Sequence, residues 1–237
     1  MIRIAIDAMG GDHAPEEVVK GAEGYLKEND ISLILVGDKD RIHRLKKDPR
    51  IDIVHCDEVI GMNESPVSAV KQKKNASINV AMELVKNKKA DAVVSAGNTG
   101  AIMASALFKL GRIEGIERPA IATIFPNVHG GEFLLLDMGA NVDCKPKHLE
   151  QFAQMGSVYA EHVMHIKNPR VGLLSIGAET EKGNELTQQS YPLISQKPIN
   201  FIGNVEGGDL FTGRVDVVVC DGFVGNVILK ISESLST

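Results

Sequence analysis

The sequence predicts an α/β protein built on a doubly wound, mainly parallel sheet, in three layers of helix, sheet and helix. Three observations predict it. Short apolar, β-branched runs recur along the 237 residues. Segments with helical spacing separate many of them. Several runs are apolar along their whole length, as strands must be when helices cover both faces of a sheet.

Taken in order, the first strand is Ile2–Asp7. Pro15, followed by Glu16 and Glu17, then suits a first helical turn: proline's missing N–H costs nothing there, and carboxylates favour the positive end of a helix. Ile31–Gly37 and Ile51–His55 are the next strands. Ser65-Pro66 resembles an N-cap with proline at the first position. From Ser77 to Lys88, residues Ile78, Ala81, Met82 and Val85 form one apolar face at helical spacing. Ala92–Ser95 is a strand, with a helix opening near Asn98 or Thr99. Ala120–Phe125 and Phe133–Asp137 are strands parted by Pro126–Gly131, a loop where two lobes could join. Pro146 begins a helix with Leu149, Phe152, Ala153 and Gly156 along one stripe. Val171–Ile176, Asn200–Gly203 and Val215–Cys220 complete the strands. Val227–Leu235 reads as a helix that follows a glycine turn and has no closing signal. The chain shows no fixed-period repeat and no low-complexity segment, so a single α/β domain over residues 1–237 is expected.

Composition narrows the function. A formal net charge of -5 argues against a general nucleic-acid binder and against overall attraction to anionic lipid. With no Trp, three Tyr and seven Phe, base-stacking platforms and aromatic sugar clefts lack their rings. Three well-separated cysteines, Cys56, Cys144 and Cys220, suggest free thiols in a reducing cytosol rather than a disulfide framework or metal cluster. The N-terminus is too soon charged for a signal peptide, and no apolar run approaches the roughly 20 residues of a membrane span. A cytoplasmic protein is expected.

The chemistry concentrates in five polar, glycine-rich segments, each at the exit of a strand: Asp7–His13, Ser95–Gly100, Asp137–Asp143, Gly177–Glu185 and Asp221–Asn226. In an open parallel sheet, loops at the carboxyl ends of strands line a crevice. Glycines let backbone N–H groups approach an anion, and helix N-termini add donors and partial positive charge. Ser95–Gly100 is neither a Walker loop, since no Gly-Lys-Ser/Thr follows, nor the dinucleotide G-x-G-x-x-G pattern. Lys182 and Lys145 could meet phosphate as point charges or remain solvated turn lysines. His13 could donate a proton to a leaving group or cap a helix. Asp7, Asp137 and Asp221 could orient partners or cap the next turn. The nucleophile elbow G-x-S-x-G is absent, no base is tied to a cysteine, and no zinc motif occurs, so neither a metal nor a cofactor is expected. Two basic runs, Lys71, Lys73, Lys74 and Lys86, Lys88, Lys89, could steer an acidic protein partner or be ordinary solvated helix faces.

Asp7-Ala8-Met9-Gly10-Gly11-Asp12-His13-Ala14-Pro15 closely resembles the N-terminal signature of the acyl-acyl-carrier-protein:phosphate acyltransferase family of bacterial phospholipid synthesis. Ser95-Ala96-Gly97-Asn98-Thr99-Gly100-Ala101 is similar to its second signature. Gly111-Arg112-Ile113, Arg118-Pro119, Leu136–Asn141, Lys182–Leu186, Phe201–Glu206 and Asp221–Asn226 follow in the family's order, so the resemblance runs from Met1 to Lys230. It implies that phosphate attacks a thioester on acyl carrier protein, giving acyl phosphate and free carrier. It also implies a homodimer, loose membrane association, a downstream glycerol-3-phosphate acyltransferase, and a fold akin to the isopropylmalate dehydrogenase and phosphotransacetylase group. Family members continue past this end, through parts associated with dimerisation, the membrane surface and part of the cleft.

For this reaction no enzyme nucleophile is needed, because phosphate is the nucleophile. The resulting assignment gives Gly97, Asn98, Thr99 and Gly100 to phosphate, with Lys182 neutralising charge. Asn141, Lys145 or Asn184 would contact phosphate or carbonyl, and His13 would protonate the leaving thiol. Gly10, Gly11, Asp12, Ser95, Asp137, Glu185, Asp221 and Asn226 complete the expected substrate-binding set. Other readings stay open at this point: a decarboxylating dehydrogenase on a related fold, a short-chain transferase between coenzyme A and phosphate, or a carrier-protein-binding scaffold.

Overall fold

The computed structural model describes residues 1–235. The chain divides into two compact units, Met1–Gly111 and Arg112–Thr237. Each has its own sheet.

The first unit runs β1 (Arg3–Asp7), α1 (Glu16–Leu26), β2 (Ser32–Gly37), α2 (Lys39–Leu45), β3 (Ile51–His55), α3 (Pro66–Gln72), α4 (Ser77–Lys86), β4 (Ala92–Ser95) and α5 (Thr99–Lys109). All its strands pair in parallel, in the order β3-β2-β1-β4. The chain therefore steps to one side of β1 for β2 and β3, then to the other side for β4. That reversal makes the carboxyl ends of β1 and β4 a topological switch point, where open α/β sheets bind ligands. Val19, Ala22 and Leu26 of α1 pack with Leu33, Leu35 and Ile42 on one face. Ala81 and Leu84 of α4 pack with Ala5, Ile34 and Val36 on the other.

The second unit runs β5 (Ala122–Pro126), β6 (Glu132–Leu136), α6 (Pro146–His162), β7 (Val171–Leu174), α7 (Glu185–Ser195), β8 (Phe201–Val205), β9 (Val217–Val219) and α8 (Gly222–Leu235). Its sheet order is β5-β6-β9-β7-β8; β5 is antiparallel to β6 and the remaining pairs are parallel. Helix α6 lies close on the strands: a Cβ added at Gly156 would stand 2.6 Å from Val217 Cγ1. Leu149, Phe152 and Ala153 of α6 fill the core with Leu134, Leu136 and Leu173.

Each of the nine predicted strands is present in this fold. The loop at Pro126–Gly131 is not a seam. It is the turn of the β5–β6 hairpin, where Asn127 N donates to Gly131 O at 2.8 Å, and the division falls at Gly111 instead. The last helix starts at Gly222, ahead of the expected Val227, because Asp221 caps it: Asp221 Oδ1 accepts from Phe223 N and Val224 N at 2.9 and 3.0 Å. Helices α2 and α7 were not anticipated.

One ion pair braces the second unit. Arg170 Nε and Nη2 donate to the two carboxylate oxygens of Asp216 at 2.8 and 2.7 Å, and Arg170 N adds a third bond at 2.7 Å. Burial pushes the Asp216 carboxyl up, but the Arg170 hydrogen bonds and charge outweigh it and hold the group below the usual carboxylate range. Arg170→Ala should cost about 2 kcal/mol at neutral pH, since it strands a mostly buried carboxylate. A depressed carboxylate contributes stability above its unfolded pKa of about 4 and loses it as pH falls through the folded value. The gap between wild type and variant in urea midpoint should therefore close as pH falls below about 4. A gap that persists at low pH would show that packing, not charge, is lost.

Candidate active site

The carboxyl ends of β1 and β4 are stitched together by side chains. Asp7 closes β1 and is buried, and its register partner on β4 is Ser95. Asp7 Oδ1 accepts from Met9 N at 3.2 Å, and Oδ2 accepts from Ser95 Oγ at 2.7 Å. Ser95 Oγ in turn accepts from Gly97 N at 3.1 Å. Both outgoing loops are thus anchored to one buried carboxylate. Gly10 passes directly over the pair. A Cβ there would lie 2.7 Å from Asp7 Oδ2, 2.8 Å from Gly97 N and 2.9 Å from Ser95 Oγ, so only glycine permits this crossing. Gly11 has φ +102°, a conformation open to few other residues.

Asn98 serves the scaffold. As the N-cap of α5, its Oδ1 accepts from Ala101 N at 3.1 Å. Its Nδ2 faces the carbonyls of Gly61, Met62 and Glu64 at 3.0 to 3.4 Å. What Ser95–Gly100 offers an anion is therefore backbone at the start of α5, together with the exposed Thr99. Gly100 is held against Pro66, whose Cγ would be 2.6 Å from an added Cβ. Asp7, Gly10, Gly11, Asp12, His13, Ser95 and Ala96 line one cavity of about 730 Å³ in this unit. His13 is exposed at its mouth, and its backbone carbonyl accepts from Glu17 N at 3.1 Å.

The second unit gathers a second polar group. Asp137, directly after β6, is fully buried. Its Oδ1 accepts from Ile121 N and Ala140 N, both at 3.0 Å, and its Oδ2 accepts from Asn141 N at 2.7 Å and Asn141 Nδ2 at 2.8 Å. Asn141 Nδ2 also donates to Pro119 O at 2.7 Å, and Asn141 O accepts from Gly222 N at 2.8 Å. The Asp137 and Asp221 loops are thereby joined. A Cβ on Gly139 would lie 3.7 Å from Asn226. After β7, Ser175 Oγ donates to Lys182 O at 3.2 Å, leaving the Lys182 side chain exposed. Asn184 caps α7 by accepting from Thr187 N at 2.9 Å, and Glu185 accepts from Gln189 Nε2 at 2.8 Å. Lys145 is exposed at the start of α6, and its backbone N donates to His148 Nδ1 at 3.1 Å.

One polar atom was missed by the sequence reading. Asn204, 8% exposed at the end of β8, donates from Nδ2 to Glu179 O at 2.7 Å. Its Oδ1 has no partner among the described residues. It lines a cavity of about 500 Å³ with Glu206, Asp209 and Arg214. The sequence reading had Asn204 only within the Phe201–Glu206 segment and gave it no role.

The three thiols are held protonated. Burial pushes Cys56 up to about 12 and Cys144 up to about 11, and it raises Cys220 further. None supplies a thiolate at neutral pH. Of the basic runs, Lys73 pairs with Glu64 at 2.6 Å, and Lys71 sits 5.2 Å from the Phe108 ring centroid. Among the described residues no three His, Cys, Asp or Glu side chains group as metal ligands, and no helix is long and apolar enough to cross a membrane.

The family described as fatty acid synthesis protein matches residues 2–237. A phosphate acyltransferase of Desulforamulus reducens is 59% identical over 240 residues, covering 100% of this chain and 72% of the relative. A phosphate acyltransferase of Heliobacterium modesticaldum is 58% identical, covering 99% of this chain and 71% of the relative. Among solved structures, a phosphotransacetylase from Streptococcus pyogenes superposes with a TM-score of 0.74 at 18% identity, covering 99% of this chain and 82% of that one. At that identity the likeness is one of fold.

Proposed function

This chain belongs to the phosphate acyltransferase family of fatty acid synthesis proteins, and we propose that it transfers a long-chain acyl group from acyl carrier protein to inorganic phosphate. One observation carries the site: the Asp7–Ser95 stitch, which fixes two glycine loops at the switch point of a parallel sheet.

In the reaction a phosphate oxygen attacks the thioester carbonyl carbon. The C–O bond forms, the C–S bond breaks, and the departing sulfur takes a proton to leave as free thiol. Neither a covalent enzyme intermediate nor a thiolate is required, in keeping with the raised cysteines. The protein's task is to hold the reactants, which can contribute about 7–11 kcal/mol, and to place N–H donors on the oxyanion, each worth about 3–4 kcal/mol. The backbone of Gly97–Gly100 at the start of α5 supplies donors of that kind. Asp7 orients them through Ser95, and Asp12 and Gly11 frame the mouth. The reading gives His13, which lines the same cavity, the role of protonating the thiol. The second unit has polar groups of its own, among them the exposed Lys182 and Lys145, which carry positive charge that an anion can meet. Asn141 retains its side-chain oxygen, while the Asn184 side chain, Glu185, Asp221 and Asn226 serve as caps and loop contacts that set the backbone for substrate. The homodimer, the loose membrane contact and delivery of acyl phosphate to a glycerol-3-phosphate acyltransferase belong to the same proposal.

The test is phosphate-dependent release of thiol from long-chain acyl carrier protein, with acyl phosphate trapped by hydroxylamine. Release without phosphate, or release only from acetyl coenzyme A, would overturn the reading; the second result would favour the short-chain transfer of the Streptococcus pyogenes neighbour. Lys182→Ala should raise the phosphate KM about tenfold or more, with little change in the KM for acyl carrier protein. Unchanged phosphate kinetics would remove Lys182 from the site.

A further inference from the structure

Lys73 turns its charge back onto its own unit. From the C-cap of α3 its ammonium closes the turn formed by residues 59–64, donating to Val59 O at 2.7 Å and to Glu64 Oε1 at 2.6 Å. Glu64 Oε1 also accepts from Gly61 N at 2.6 Å, so one carboxylate oxygen fixes both the turn and the lysine. The Lys73 hydrogen bond, then that from Gly61, holds the Glu64 carboxyl below the usual carboxylate range. Ile60 seats the turn among Ala69 and Val70 of α3 and Ala101 and Ala104 of α5.

The same turn meets the N-cap of α5. Asn98 Nδ2 lies 3.4, 3.0 and 3.2 Å from the carbonyl oxygens of Gly61, Met62 and Glu64. An amide has two N–H donors for these three acceptors, so the turn is gripped as a whole. The path also closes on its other side. Lys73 O accepts from Asn79 Nδ2 at 2.8 Å, and Asn79 Oδ1 accepts from Ser105 Oγ at 2.6 Å; Asn79 and Ser105 are buried. The bonds thus leave α5 at Ser105, pass through Asn79, Lys73 and Glu64, and return to α5 at Asn98. The Lys73–Glu64 side chains are both partly exposed, and such pairs add little to stability. What the circuit does fix is the first turn of α5, whose backbone N–H groups have no partner within the helix.

We propose that residues 59–64 form a clamp on the anion-binding end of α5, with Lys73 and Glu64 as positioning residues for phosphate. The inference rests on the reading that gives Gly97–Gly100 to phosphate. A donor displaced by about 1 Å can cost up to about a hundredfold, so Lys73→Met should raise the phosphate KM about tenfold, with the KM for acyl carrier protein little changed. Glu64→Ala should do the same, and it carries the test if the lysine variant does not fold. Glu64→Gln keeps an oxygen for Gly61 N and Lys73 and should restore most of the loss. Asn98→Ser keeps an N-cap oxygen but loses both amide donors; combined with Lys73→Met its effect should not multiply, since both act through one turn. A lowered urea midpoint with unchanged phosphate KM would make the clamp scaffold only and overturn the proposal. So would an equal rise in both KM values, or effects that multiply in the double variant. If the wild-type protein releases no thiol, the acyl-transfer reading falls by itself, and phosphorus NMR line broadening of orthophosphate then decides the clamp. Weaker binding by Lys73→Met than by wild type would support it; equal binding, or none by wild type, would overturn it.

Discussion

Gly10→Ala is expected to lower kcat/KM for phosphate-dependent thiol release by about a hundredfold. The added Cβ would lie within 3 Å of three atoms that have little room to yield: Asp7 Oδ2, Gly97 N and Ser95 Oγ. Asp7 is buried and bonded to both loops, and Gly97 N is backbone. The loop must therefore lift, and a displacement of about 1 Å at a positioned site can cost about a hundredfold. The fold should lose only about 1–3 kcal/mol, the usual range for overpacking, since the strands beneath remain paired. Kinetics beside a urea melt separate the two effects. Near-wild-type turnover in a folded variant would mean that the reactants do not meet at the switch point.

The loops Asp7–His13 and Ser95–Gly100 were legible in the sequence through their glycines, which come within a few residues of each strand's end. The strands were legible for the same kind of reason: a parallel strand covered by helices has to be apolar throughout, and Leu33–Val36 or Val217–Val219 could hardly be anything else. What periodicity does not carry is partnership. Val217–Val219 says that a strand is buried, not that β9 inserts between β6 and β7, so two sheets read as one. Helix α2 was missed because it has seven residues, too few to show a stripe, and its start depends on Asp38 accepting from Asp40 N and Arg41 N. Helix α7 was hidden by Pro192 in its interior.

The roles of individual polar side chains were the least legible part. Asn98 and Asn184 read equally well as ligands of an anion or as caps, and their nearest partners along the chain do not decide between the two. For Asn98 the decision comes from the carbonyls of residues 61–64, more than thirty positions away.

Gly225→Ala should be strongly destabilising, costing about 4 kcal/mol or more. Gly225 lies in the first turn of α8, and its N–H donates to Asp221 O at 3.0 Å. An added Cβ would overlap the carbonyl oxygen of Asp137 and stand 2.9 Å from its carbon and 3.2 Å from Met138 Cα. These are backbone atoms on both sides, so no rotamer relieves the clash. Either α8 backs away from β6, or the Asp137 turn moves and gives up bonds to Ile121 N, Ala140 N and Asn141. Losses of this size are rare among point substitutions, and against a usual total of about 5–15 kcal/mol this one would leave the second unit marginal. Gly207→Ala supplies the contrast: a Cβ there meets nothing within 4 Å, so its effect should stay within about 0.5 kcal/mol. Equal urea midpoints for the two variants would mean that the contact of α8 with the Asp137 turn is not fixed in solution. In that case Asp137 would be arranged by its own loop alone.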